Sequence, residues 1–153
     1  MENRSRVAKE KKMINVGLLG AGRIAGVHAT AVTRHPDSKL IAVSDYIQAN
    51  AKKLAADFGC SERTTAEIIA DSEIDAVLIA TSTDTHSELI EQAVGAGKSV
   101  LCEKPVDLSL KRARLCQANT ETTGLPIMIG FNRRFDPNFQ IFKSALDCGE
   151  IGK

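Results

Sequence analysis

The sequence predicts a doubly wound α/β domain, in which helices cover both faces of a single parallel sheet. From Met13 onward, short apolar runs alternate with helix-length amphipathic stretches. Repeated alternation of this kind produces parallel strands that are joined by right-handed helical crossovers. The first apolar run also leads directly into glycines, as a buried strand that turns tightly into a helix does.

The predicted strands are the short aliphatic runs of the chain. They cover residues 14–19, 40–43, 62–64, 76–80, 99–102 and 126–130. The run 76–80 is apolar throughout, which is typical of a strand that is buried on both faces.

Helix boundaries are predicted from residues that stop or cap helices. Pro36 and Gly59 end the first two helices. Two pairs have the spacing of a capping box and begin the third and fourth helices: Thr64 with Glu67, and Thr85 with Glu88. The first, second, fifth and sixth helices are predicted over residues 24–34, 48–58, 109–122 and 136–146.

Composition and charge argue against several classes of protein. The 153 residues include 20 basic and 19 acidic side chains, a formal net charge of +1. This balance gives no general electrostatic footprint for nucleic acid or an anionic membrane surface. No apolar run approaches the length that spans a bilayer. The four cysteines have no C-x-x-C spacing, so we expect reduced thiols, a cytoplasmic protein and no metal site.

The N-terminal segment is polar and basic, and it lacks the apolar stretch of a signal peptide. We interpret residues 1–12 as a disordered extension, with a solvated tail favoured over a basic arm that contacts a partner. Residues 13–153 form the predicted domain.

A glycine-rich turn follows the first predicted strand. Residues 20–25, Gly-Ala-Gly-Arg-Ile-Ala, match the pattern G-x-G-x-x-G/A. Gly20 permits the tight turn, and Gly22 lets the backbone approach a pyrophosphate. The helix that begins at Arg23 and Ile24 offers free N–H groups and a partial positive charge to phosphates. Because the motif lies between the first strand and the first helix, a Rossmann dinucleotide site is favoured over a turn without a ligand.

An acidic residue follows the second predicted strand, at the position that suits a contact with ribose. Asp45 would bind the adenosine ribose hydroxyls. Its carboxylate would repel a 2′-phosphate, and no arginine follows immediately to bind one, so NAD is favoured over NADP as the cofactor. Tyr46 would cover the adenine, although a partly exposed packing role fits the sequence equally well.

Polar residues follow the fourth predicted strand, at the sheet edge where open α/β sheets bind ligands. Thr81, Ser82 and His86 suit contacts with ribose and nicotinamide. Simple helix capping by Thr85 and His86 is the alternative that the sequence leaves open.

Cationic residues follow the fifth and sixth predicted strands. Lys104 lies between a buried strand and a proline, where desolvation would favour the neutral amine and suit it for proton transfer. Taken alone, it is more simply a surface lysine. Arg133 or Arg134 would hold a hydroxylated or anionic substrate, and a salt-bridged arginine pair is the alternative.

Together these segments resemble the glucose–fructose oxidoreductase, inositol dehydrogenase and rhizopine-catabolism (Gfo/Idh/MocA) family of oxidoreductases. The resemblance extends from Met13 to the C-terminus. Its markers are the glycine turn with His28 shortly after it, residues 81–86, the triplet Glu103-Lys104-Pro105, and residues 130–136. Residues 102–109 and the run Asn-Arg-Arg-Phe-Asp are most similar to the inositol dehydrogenase branch of the family.

The resemblance implies an enzyme that uses NAD to oxidise a ring hydroxyl of a cyclic polyol or sugar, with myo-inositol as the expected substrate. Lys104 would be the catalytic lysine. Glu103 would approach the nicotinamide ribose, and Arg133 would line the boundary between cofactor and substrate. The expected partners are a small-molecule substrate and further copies of the chain, without nucleic acid or membrane.

The resemblance also implies a second α/β domain, which in the family supplies an aspartate–histidine pair for proton abstraction and the dimer contacts. The sequence ends at Lys153, about where that domain would begin. We therefore expect the isolated chain to bind NAD with negligible turnover and to self-associate through apolar surface that is uncovered on one side of the sheet. Two alternatives stay open: a stand-alone NAD-binding module or remnant of a truncated gene, and another sugar dehydrogenase of the same family.

Overall fold

The computed structural model describes residues 12–152 and contains one parallel sheet. Its strands are β1 (Ile14–Leu19), β2 (Ser38–Ser44), β3 (Ser61–Glu62), β4 (Ala76–Ile79), β5 (Ser99–Cys102) and β6 (Ile127–Ile129). They lie in the order β3-β2-β1-β4-β5-β6, and every neighbouring pair is parallel. From β1 and β4 the chain continues in opposite directions, so the gap between their carboxyl ends is the switch point where such sheets bind ligands.

Helices cover both faces of the sheet, which confirms the predicted doubly wound fold. They are α1 (Arg23–Arg34), α2 (Gln48–Phe58), α3 (Thr65–Ala70), α4 (His86–Gly95), α5 (Leu110–Thr120) and α6 (Pro137–Asp147). Ala25 of α1 and Leu54 of α2 are buried in the core on one face. Ile68 of α3, Ile90 of α4 and Cys116 of α5 are buried in the core on the other.

The first predicted capping box is confirmed. The Thr64 hydroxyl accepts a hydrogen bond from the Glu67 amide at 3.2 Å, and the Glu67 carboxylate accepts one from the Thr64 amide at 2.8 Å. The amide and hydroxyl of Thr64 lower the pKa of Glu67, because both donate to its ionised carboxylate.

The second predicted capping box is wrong. Thr85 makes no capping hydrogen bond at the start of α4, and its hydroxyl instead donates to the carbonyl oxygen of Ser82 at 2.8 Å. A 3₁₀ turn over Thr83–Thr85 precedes α4 and already holds the Thr85 backbone in the helical region. The hydroxyl therefore bonds backward to that turn, as serine and threonine within helical turns often do.

The described residues at the two ends of the chain lie outside the core. The predicted extension over residues 1–12 lies outside the described residues, except for Lys12, whose Nζ lies 2.6 Å from Oδ1 of Asp75. No helix within residues 12–152 is long and apolar enough to cross a membrane. Near the other end, α6 has no buried residue, and Phe139, Ile141 and Phe142 are exposed.

Candidate cofactor-binding site

The glycine turn joins β1 to α1 at the switch point of the sheet. Gly20 has a φ angle of +97°, and a Cβ there would lie 2.4 Å from the carbonyl oxygen of Ala80. A side chain is therefore excluded at Gly20 by both backbone conformation and space. Gly20 is required by the fold itself, as the sequence predicts for a tight turn.

Gly22 is a glycine for a different reason. A Cβ on Gly22 would meet no heavy atom of the described residues within 4 Å, and its φ angle of −77° is open to any residue. Gly22 is the N-cap residue of α1 and makes no side-chain capping hydrogen bond to the first turn of the helix. The space before Gly22 suits an anion that approaches the backbone closely, such as a pyrophosphate.

Asp45 links the end of β2 to the glycine turn. Its Oδ2 accepts a hydrogen bond from the Ala21 amide at 2.6 Å, and its Oδ1 accepts one from the Ile47 amide at 2.7 Å. This role of Asp45 in linking two loops was not predicted from the sequence. Each carboxylate oxygen keeps a further lone pair for a hydroxyl donor, so the role is compatible with ribose binding. Tyr46 is 103% exposed, which excludes the alternative packing role within the described chain and leaves the ring available to a ligand.

These segments enclose a cleft of about 510 Å³, called here the cofactor cleft. It opens between the carboxyl ends of β1, β2 and β4 and the start of α4. Among the predicted site residues, its lining includes Gly20, Asp45, Tyr46, Thr81 and Ser82. The structure therefore brings together five residues that the sequence places on three separate loops.

Two threonines that line the cofactor cleft were not predicted as site residues from the sequence. Thr64 and Thr65 begin α3, and Oγ1 of Thr65 lies 3.0 Å from Oγ of Ser44 at the end of β2. Their residue type suggested only helix capping. The signal that could have found them is position, because a loop that follows a strand beside β2 reaches the same sheet edge.

His86 lies behind the cofactor cleft rather than in it. The residue is 1% exposed, its Nδ1 lies 2.8 Å from the carbonyl oxygen of Pro105, and its Nε2 lies 3.1 Å from that of Thr81. The ring thereby bridges the loops that follow β4 and β5. The predicted contact between His86 and the cofactor does not agree with this burial, and the structure gives the residue a bridging role instead.

Glu103 occupies the carboxyl end of β5, where three elements meet. Its Oε1 lies 2.7 Å from Nε2 of His28 on α1, and its Oε2 accepts a weak hydrogen bond from the Lys104 amide at 3.3 Å. Gly130, which follows β6, is so close that a Cβ there would lie 3.3 Å from Oε1. Both carboxylate oxygens are therefore engaged within the chain.

Cys102, directly before Glu103, is fully buried, and this burial raises the pKa of its thiol to about 12.

Lys104 projects from the same sheet edge as an exposed side chain. Asp107, three residues after Lys104, accepts a hydrogen bond from the Ser87 hydroxyl at 2.6 Å. This hydroxyl is the main cause of the lowered pKa of Asp107. The desolvation that the sequence predicts for Lys104 is not provided by residues 12–152, in which it is a surface lysine.

Arg133 lies apart from the cofactor cleft, in a 3₁₀ turn over Asn132–Phe135. Its Nη1 lies 3.6 Å from Oδ2 of Asp136, and its guanidinium lies 4.7 Å from the centre of the Phe139 ring. The neighbouring Arg134 stacks over Phe131. Both contacts of Arg133 are directed to the start of α6, so its location at a cofactor–substrate boundary stays a prediction.

A glycine turn at the switch point, an uncapped helix N-terminus and an aspartate after β2 define a Rossmann domain that binds a dinucleotide. The profile of the oxidoreductase family with an NAD-binding Rossmann fold, GFO_IDH_MocA, matches residues 14–131. The chain belongs to this family, which confirms the resemblance found in the sequence and NAD as the cofactor.

Relatives of known function lie within the same family. The chain is 49% identical over 140 residues to inositol 2-dehydrogenase of Rhizobium meliloti, an alignment that covers 92% of this chain and 42% of the relative. It is 37% identical over 143 residues to scyllo-inositol 2-dehydrogenase (NAD(+)) of Bacillus subtilis, with the same coverage. The crystal structure of scyllo-inositol dehydrogenase from Lactobacillus casei with bound NAD(H) and scyllo-inositol superposes with a TM-score of 0.86 at 31% identity, over 93% of this chain and 43% of that one. The chain thus spans about two fifths of the length of these relatives.

Proposed function

We propose that this chain is the cofactor-binding part of a dehydrogenase that transfers a hydride between NAD and a ring carbon of a cyclic polyol, with myo-inositol as the first candidate. The observation that carries the proposal is the location of Lys104 on the same sheet edge as the cofactor cleft. An amine at that edge can exchange a proton with a substrate hydroxyl beside a bound dinucleotide. The identity of 49% to an inositol 2-dehydrogenase supports the substrate class.

Each part of the site has a proposed task. NAD, when bound, supplies the nicotinamide that accepts the hydride. Gly22 and the first turn of α1 hold the pyrophosphate, and Asp45 holds the adenosine ribose. Thr81 and Ser82 contact the nicotinamide half. Lys104 moves the proton of the substrate hydroxyl, for which its location after β5 leaves the side chain free to reach outward.

We expect the 153-residue polypeptide to bind NAD without measurable turnover. Lys104 is exposed, so the described residues do not exclude water from the reacting edge, and a water-filled site weakens the electrostatic interactions on which catalysis depends. Robust oxidation of any polyol by this polypeptide would contradict that expectation.

A chimera tests the proposed activity directly. The chain would replace the matching segment of the Rhizobium meliloti inositol 2-dehydrogenase, and NADH formation would be followed with myo-inositol, scyllo-inositol and a panel of sugars. We expect oxidation of an inositol, and a loss of about 1,000-fold in kcat on Lys104→Ala at unchanged affinity for NAD. Lys111→Ala, an exposed lysine on α5, is the matched control.

The outcomes of the chimera experiment separate the candidate functions. Activity only on sugars would favour another sugar dehydrogenase of the family. A Lys104→Ala chimera as active as its parent would refute the role proposed for this lysine.

We also propose that copies of the chain associate through α6. Phe139, Ile141 and Phe142 of this helix are 47%, 68% and 56% exposed, and exposed large apolar side chains on one element can mark an interface. Sedimentation velocity should show a concentration-dependent dimer or larger species, and Ile141→Glu with Phe142→Glu should abolish it. Leu110→Glu on α5, where the side chain is 67% exposed, should leave association unchanged. A monomer at every concentration would refute the proposal.

A further inference from the structure

The hydrogen bond between His28 and Glu103 connects two parts of the site that are far apart in the sequence. Nε2 of His28 lies 2.7 Å from Oε1 of Glu103, and only 19% and 18% of the two side chains are exposed. An ionised carboxylate is an acceptor only, so Nε2 must carry the hydrogen and donate it. The bond is thus oriented, short and largely shielded from water.

Each partner lies on an element with a different task. His28 belongs to α1, whose N-cap residue is Gly22 of the glycine turn. Glu103 directly follows β5, its amide donates to the carbonyl oxygen of Ile79 at 2.9 Å, and it directly precedes Lys104. The pair therefore connects the helix that faces the pyrophosphate to the loop that carries the lysine.

The surroundings of Glu103 fix its carboxylate in place. Oε2 accepts from the Lys104 amide at 3.3 Å, and Oε1 lies so near Gly130 that a Cβ at this position would be 3.3 Å from it. On the other side of Lys104, the ring of His86 contacts the carbonyl oxygen of Pro105 at 2.8 Å. The residues on either side of Lys104 therefore both contact helices: Glu103 contacts His28 of α1, and the carbonyl oxygen of Pro105 contacts His86 of α4.

We propose that His28 is a positioning residue: through Glu103 it fixes the backbone from which Lys104 projects relative to α1. The inference rests on the proposed function, in which α1 holds NAD and Lys104 acts on the substrate. It adds to that function the claim that the hydrogen bond between His28 and Glu103 sets the distance between bound NAD and the amine of Lys104.

Three substitutions in the 153-residue chain test the inference. His28→Leu removes the donor, whereas His28→Gln keeps an N–H donor of similar reach. His35→Leu, at a histidine whose side chain is 61% exposed at the end of α1, is the matched control. The readouts are the ¹⁵N–¹H amide signals of Lys104 and Gly130 in the ligand-free chain, the affinity for NAD by calorimetry, and the thermal unfolding midpoint.

We expect His28→Leu to displace the Lys104 and Gly130 amide signals and to weaken NAD binding about fivefold, which corresponds to the loss of one hydrogen bond worth about 1 kcal/mol. His28→Gln should restore both signals and bring the affinity within about twofold of the parent. His35→Leu should change neither. Unmoved Lys104 and Gly130 signals in a folded His28→Leu chain would overturn the inference, as would a His28→Gln chain that is impaired as much as His28→Leu.

If the His28→Leu chain fails to fold, a second variant tests the same hydrogen bond. Glu103→Gln keeps the shape of the side chain and removes its charge, and it should displace the Nε2–H signal of the His28 ring. An unchanged ring signal overturns the inference. The amide and ring signals are recorded without ligand, so a chain that fails to bind NAD would refute the proposed function and leave this test intact.

Discussion

Replacing Gly22 with valine is expected to abolish NAD binding and to leave the fold intact. The side chain would enter space that no described atom within 4 Å occupies, at a φ angle of −77° that valine adopts readily. Since this is the helix N-cap, the free energy of unfolding should fall by about 1 kcal/mol or less. The same side chain would block the approach of a pyrophosphate, so affinity for NAD should fall by about 100-fold or more.

Gly20→Ala is the contrasting substitution in the same turn. Its Cβ would lie 2.4 Å from the carbonyl oxygen of Ala80, at a φ angle of +97°. We expect the free energy of unfolding to fall by about 3 kcal/mol or more, because the clash with backbone adds to the conformational cost. Thermal unfolding and calorimetry on both variants separate the two roles, and a Gly22→Val chain that binds NAD as its parent does would place the pyrophosphate elsewhere.

The second large effect is expected at the ribose end, where Asp45→Ser with Tyr46→Arg should convert the preference from NAD to NADP. The parent chain should prefer NAD by about 100-fold, because juxtaposing the Asp45 carboxylate and a 2′-phosphate costs several kcal/mol. Arginine at position 46 supplies the bidentate donor that the phosphate needs. Tyr46 is 103% exposed, so its replacement should not affect the fold.

The choice of serine at position 45 follows from the role of Asp45 in linking two loops. A hydroxyl oxygen can still accept the hydrogen bond that the Ala21 amide makes to Asp45 in the parent chain. Asp45→Asn is the control for charge: it removes the charge and keeps one acceptor oxygen, enough for one of the two hydrogen bonds that the Ala21 and Ile47 amides make to Asp45. We expect it to bind NAD and NADP with similar affinity. Undiminished discrimination by Asp45→Asn, measured by calorimetry, would show that charge repulsion is not the cause.

The element boundaries could be predicted because their signals are local. The sequence predicts β1 over residues 14–19 and α2 over 48–58, and both agree with the structure. Gly20 and Gly59 end these elements with φ angles of +97° and +66°, which glycine adopts without a steric penalty. A signal of this kind depends on one backbone position and needs no knowledge of the tertiary structure. The failed capping box at Thr85 shows the limit, because the preceding 3₁₀ turn decided where that hydroxyl points.

The orientation of site side chains was less predictable, because it depends on contacts between distant segments. His86 follows β4 as a ligand-binding residue would, but its ring meets a carbonyl oxygen 19 residues away. Asp45 has the residue type expected for ribose, and its bond to the Ala21 amide spans 24 residues. The environment of Lys104 depends on what covers the sheet edge. Residue type and the position after a strand predicted which loops form the site. The direction in which each side chain points could be determined only from the structure.

The most direct test of the central claim is a calorimetric titration of the purified chain, first with NAD and then with NADP under identical conditions. We expect saturable 1:1 binding of NAD and binding of NADP that is weaker by about 100-fold, because the Asp45 carboxylate would repel the 2′-phosphate. Equal affinity for the two dinucleotides, or tighter binding of NADP, would contradict the role assigned to Asp45. Failure of the folded chain to bind either one would contradict the assignment of the cofactor cleft itself.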